Sequence, residues 1–152
     1  MADDYQRVID QVKSLTENRQ AVTSTYLSVN TAIIGAIAFL LKDSQIPGTA
    51  QGIAILVLMG SGVVVCDLWR RLLNQYGSLL GWWYEQLRKL EETQPDSARL
   101  YTREYTELYQ HAKNRPRIGL SSYQTGLTWI FTAIYIVFGL AIAVNIVVQL
   151  FR

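Results

Sequence analysis

Charge is missing from three long stretches of this chain. No Asp, Glu, Lys or Arg occurs from Gln20 to Leu41, from Ser44 to Cys66, or from Ile118 to Phe151. Among 152 residues there is one cysteine, Cys66, and one histidine, His111. A single cysteine excludes an intrachain disulfide and a multi-cysteine metal site, and Cys66 reads as a packing residue. The sequence also lacks a glycine-rich phosphate loop, a His-Glu-x-x-His pair and a Gly-x-Ser-x-Gly elbow, so the common hydrolytic and phosphoryl-transfer chemistries have no motif to rest on. His111, among Lys113 and Arg115, reads as a solvated surface residue. The expectation is a protein that is not an enzyme and uses no cofactor or metal. A net charge of +2 gives no case for nucleic acid.

What is present follows from those uncharged runs. Each reaches the ~20 residues needed to cross a hydrocarbon core of about 30 Å. Three such runs leave too little polar chain to cover them in water, although mean hydropathy is only +0.13. The reading is an all-α integral membrane protein with three transmembrane helices and a cytoplasmic helical bundle. The spans are placed at residues 20–41, 47–68 and 128–151. The last uncharged run holds thirty-four residues, which as a helix would extend ~51 Å; its first ten residues are therefore placed below the membrane. No cleavable signal peptide is expected, since the first 18 residues are polar and helical in pattern.

Basic residues set the orientation. Arg7, Lys13 and Arg19 precede the first span, and nine Lys and Arg from Arg70 to Arg117 lie between the second and third. Only Lys42 and Arg152 fall on the other side. The N-terminus and middle segment are therefore expected in the cytoplasm of a bacterial inner-membrane protein, with the C-terminus outside.

Periodicity organises the aqueous part. Tyr5, Val8, Val12 and Leu15 make an amphipathic helix of residues 2–18, in phase with Arg19, Val22 and Tyr26. Leu73, Tyr76, Leu80, Trp83, Leu87 and Leu90 repeat at threes and fours, as do Ala98, Tyr101, Tyr105, Leu108 and Ala112. With Gln94-Pro95-Asp96-Ser97 as the break and Asp96 or Ser97 as N-cap, residues 69–93 and 97–113 should fold as an αα-hairpin. Glu85, Glu91 and Glu92 read as a solvated face paired with Arg88 and Lys89.

Three groups are functional candidates. Asp67, with Arg70 and Arg71 at i+3 and i+4, forms an interfacial charge cluster that Arg19 and Arg117 should join; it reads as a structural ion pair or as a charged ring at the mouth of an oligomeric pore. A polar or small stripe on the third span, Thr125, Thr128, Thr132, Tyr135 and Gly139, with Asn145 nearby and Asn30 in the first span, reads as helix packing or as a pore lining. Trp82, Trp83, Tyr84, Tyr101 and Tyr105 read as bundle core or as oligomer or partner contacts. Trp82 and Tyr84 beside Arg88 would also offer a nucleotide ligand a stacking platform.

Tyr26-Leu27-Ser28-Val29-Asn30-Thr31-Ala32, followed by Trp69-Arg70-Arg71 and Tyr76-x-x-Leu79, resembles a group of small bacterial integral membrane proteins. The same stretch, roughly residues 15–90, is similar to SLATT domains, proposed membrane effectors of nucleotide-signalled antiviral systems; the third span goes beyond their two-span core. The resemblance implies a homo-oligomer with a sensing cytoplasmic part, spans that form a pore, and a role in defence. A non-conducting scaffold that anchors a cytoplasmic protein partner is the alternative.

Overall fold

The computed structural model of the protein describes residues 2–42, 48–92, 99–106 and 120–151. Four helices follow in order: α1 (Ala2–Lys42), α2 (Gly48–Glu92), α3 (Leu100–Tyr105) and α4 (Leu120–Leu150). No strand occurs among the described residues. Neither α1 nor α2 contains a proline, so nothing in the backbone interrupts them at Arg19 or Asp67, where charge meets the uncharged runs. Three helices are long and apolar enough to cross a membrane.

The chain divides into two compact units, Met1–Ala21 with Leu73–Tyr123, and Val22–Leu72 with Gln124–Arg152. The first unit is built on the predicted periodicity. Val12, Leu15 and Leu80 are buried together, with Tyr76 and Trp83 packed against them. Leu73 and Leu87 are buried as well. One part of the reading fails here. Glu91, expected on a solvated face, is fully buried. Its carboxylate accepts hydrogen bonds from the Tyr5 hydroxyl (3.1 Å), the Tyr101 N–H (3.0 Å), and the N–H and hydroxyl of Thr102 (2.8 and 2.7 Å).

Those bonds explain how α3 starts. Its N-cap is Arg99, which makes no side-chain cap bond. The N–H groups of the first turn, which lack partners within any helix, are received instead by a carboxylate at the end of α2. The expected caps, Asp96 and Ser97, lie outside the described residues, as do Leu108 and Ala112 of the second seam and Pro95 of the turn.

In the second unit, Ile37 of α1, Ile55, Met59 and Cys66 of α2, and Tyr135 of α4 form the core, flanked by Ile33, Leu58, Val63, Phe131 and Ile142. Small residues let α2 and α4 approach. A Cβ at Gly62 would lie 2.6 Å from the Tyr135 ring, and one at Gly52 would lie 2.7 Å from Ile146. The outward faces are greasy: Phe39, Val57, Val137 and Leu140 are each exposed by more than three-fifths. An inside no more apolar than its outside is what a helix bundle solvated by lipid requires.

Candidate functional site

The second unit has a polar knot at its centre. Asn30 is fully buried. Its amide donates to the Tyr26 carbonyl one turn back at 2.8 Å. A helix backbone offers its side-chain oxygen nothing, and that oxygen accepts from the Tyr135 hydroxyl at 2.9 Å and the Cys66 thiol at 3.4 Å. Three helices therefore contribute one polar group each to a buried site. One step along, the Tyr26 and Trp69 rings stack at 5.9 Å and 7°.

The stripe on α4 lies around this knot. Thr128 is buried, with Gln124 above it in sequence and Tyr135 below. The Thr128 and Thr132 hydroxyls donate to the carbonyls of Thr125 and Thr128, and Gly139 sits 3.6 Å from Met59. Thr125 and Thr132 are half-buried, whereas Asn145 is exposed and stands apart from the rest. A different polar face is open. Ser24, Thr25, Ser28, Thr31, Gly35 and Ala38 of α1 are all exposed. Ser28 and Thr31 donate to Ser24 and Leu27 carbonyls, so their hydroxyl oxygens keep acceptor capacity pointing outward. The shared exposure of these hydroxyls depends on which face the other helices cover, which local sequence does not carry.

At the charged boundary, Asp67 pairs with both arginines: Arg70, and Arg71 at 2.7 Å. The Arg70 guanidinium also lies over the Trp129 ring, 4.6 Å from its centroid. Arg19 is half-buried and belongs to the first unit. Arg117, expected in the same cluster, lies outside the described residues.

In the first unit the three consecutive aromatics separate by role. Trp83 packs on the Val12–Leu15–Leu80 core. Trp82 is half exposed and meets Trp83 edge-on at 4.8 Å. Tyr84 is exposed, 6.2 Å from the Tyr101 ring. Of Tyr105 the backbone alone is described, as the last residue of α3. Burial resists the ionised form of Glu91, but the Thr102 hydroxyl, the two backbone N–H groups and Tyr5 outweigh it and hold its pKa below the ordinary value. Burial first, then the bond to Glu91, pushes the Tyr5 phenol up to about 12. The Lys89 ammonium, 3.0 Å away, holds Glu85 below its usual value. Among the described residues no group of three or more His, Cys, Asp or Glu could hold a metal ion.

The sequence pattern of the octameric membrane protein family matches residues 2–144. No curated protein and no solved structure matches the chain.

Proposed function

The chain belongs to the octameric membrane protein family, and from that premise we propose that eight copies form a conducting or membrane-perturbing assembly lined by the outward face of α1. Membership makes the chain a homo-oligomeric, multi-pass membrane protein. The observation that carries the pore is the contrast between outward faces. Those of α2 and α4 present Ile53, Val57, Ile130, Val137 and Leu140, side chains suited to lipid. α1 also exposes Val29, Ile34, Phe39 and Leu41, but adds a stripe of small and hydroxyl residues, Ser24, Thr25, Ser28, Thr31 and Gly35. The Ser28 and Thr31 hydroxyls, which donate to their own helix and can still accept, suit a water-filled axis, while the α4 stripe is taken up inside the protomer.

In this reading the assembly sits in a bacterial inner membrane, with the N-terminus and the middle segment in the cytoplasm and the C-terminus outside. The first unit would set assembly and respond to a cytoplasmic signal, a protein or a nucleotide, as the likeness to SLATT effectors suggests for a defence role. No catalytic step is involved. The test is reconstitution in liposomes: conductance or dye release is expected, and cysteine at Thr25, Ser28 or Thr31 should make it sensitive to water-soluble thiol reagents. A tight bilayer at high protein-to-lipid ratio overturns the proposal. Exposed Trp82 and Tyr84 favour the scaffold as the second reading; it expects no leakage, and a co-purifying cytoplasmic protein lost on Trp82→Ala or Tyr84→Ala.

A further inference from the structure

Large apolar side chains turned outward from the spans need no partner beyond lipid. Those turned outward elsewhere do. Among the described residues of the first unit, Leu79, Trp82, Tyr84 and Tyr123 are the large apolar or aromatic side chains that stay exposed. Tyr84 is covered on one side by Tyr101. Tyr123 carries a phenol suited to the headgroup layer. Leu79 and Trp82 have neither explanation. They stand 12 and 15 residues beyond Asp67, about 18 and 22 Å along a helix, where lipid does not reach.

The two lie on one face of α2. Gln75, Leu79 and Trp82 recur at steps of four and three, and all three are exposed. The aqueous part of α1 differs: among its described side chains, Tyr5 to Ala21, no large apolar one is exposed. Trp82 is also held firmly, since its ring rests on Trp83, which is seated in the Val12–Leu15–Leu80 core. A braced, half-exposed indole has the character of an interface anchor.

We propose that the exposed face of α2 at Leu79 and Trp82 is the seam on which a second copy of the chain docks. The occupant follows from membership of an octameric family: each copy must bury a patch on its neighbour, and this face carries apolar surface that lipid leaves bare. A closed ring of more than two copies needs a head-to-tail contact, so α2 meets a different face of the next subunit. The seam depends on the assembly and is independent of conduction, so leakage results leave it untouched.

The test uses the full chain in nanodiscs. Leu79→Glu combined with Trp82→Glu should cut the copy number measured by native mass spectrometry about fourfold or more, with helix content by circular dichroism unchanged. A photo-crosslinking benzoylphenylalanine at position 82, in an otherwise native chain, should give covalent bands at integer multiples of one chain. Retention of the wild-type copy number by the double variant overturns the seam. So does a crosslink to a different protein, or no crosslink at all.

Discussion

The Tyr135 hydroxyl donates to the Asn30 side-chain oxygen at 2.9 Å across 105 residues of sequence, joining the last helix to the first where both are buried. Polar contacts between helices in lipid are worth about 0.6 kcal/mol on average and up to ~1.7. Tyr135→Phe should therefore destabilise the protein by about 1 kcal/mol. Asn30→Ala should cost more, because it also strands the tyrosine hydroxyl. A double-mutant cycle in a detergent-unfolding assay should return a coupling of about 1 kcal/mol; a coupling of zero would deny the bond.

Gly62 has no room for a side chain. Its added Cβ would meet three ring atoms of Tyr135 within 2.8 Å, and that ring is buried with its hydroxyl anchored on Asn30. Gly62→Ala should lower stability by about 1–3 kcal/mol, the usual penalty of overpacking. Gly77, with nothing within 4 Å, is the counterpart: Gly77→Ala should be neutral or gain up to ~1 kcal/mol of helix propensity. Thermal unfolding of the two variants side by side checks both signs.

Glu91 makes the first unit sensitive to acid. Its folded pKa lies below the ordinary value of 4.5, so its stabilisation is complete above that value and is lost as pH falls through the folded pKa. Glu91→Gln should abolish this acid-dependent loss while weakening the contact to Tyr101 and Thr102 at neutral pH. Glu91→Ala should cost about 3 kcal/mol, given several charge-assisted bonds. Tyr5 works at the other end. Its pKa is raised from 10.0 to about 12, so its contribution is complete below 10.0 and fades as pH rises through about 12; Tyr5→Phe should remove that alkaline limb. Amide exchange at Tyr101 and Thr102 against pH reports both.

Why was Glu91 not visible in the sequence? It stands beside Arg88, Lys89 and Glu92, and local spacing gives it charged neighbours. What buries it is the arrival of Tyr101 and Thr102 N–H groups from the start of α3 and of Tyr5 from the far end of the chain, and periodicity carries no such pairing. The stripes themselves were legible, since Val12, Leu15, Leu73, Leu80 and Leu87 are buried where steps of three and four place them. Asn30 could be recognised as expensive in lipid because no helix backbone satisfies an amide oxygen. Its partners could not be named, because Tyr135 and Cys66 depend on which faces of three helices meet. The same dependence hid the open face of α1: small and hydroxyl residues occur on all three spans, and packing decides which stay outside.

Asp67 offers a test, by charge, of the proposed conduction pathway. It receives Arg70 and Arg71, so the trio carries +1 per copy, two arginines less one aspartate. Asp67→Asn doubles that to +2. The stability cost should be small, as for solvent-screened ion pairs, because Arg70 keeps its place over Trp129. If the cluster rings the cytoplasmic mouth of a pore, the added positive field should draw anions and repel cations. The reversal potential under a salt gradient in a planar bilayer should then move toward the anion equilibrium potential. The shift should shrink at high salt, since fields from exposed charges are screened beyond ~10 Å at 0.1 M. An unmoved reversal potential in a conducting Asp67→Asn protein would place the pathway away from these arginines and leave their pairing with Asp67 a purely structural contact.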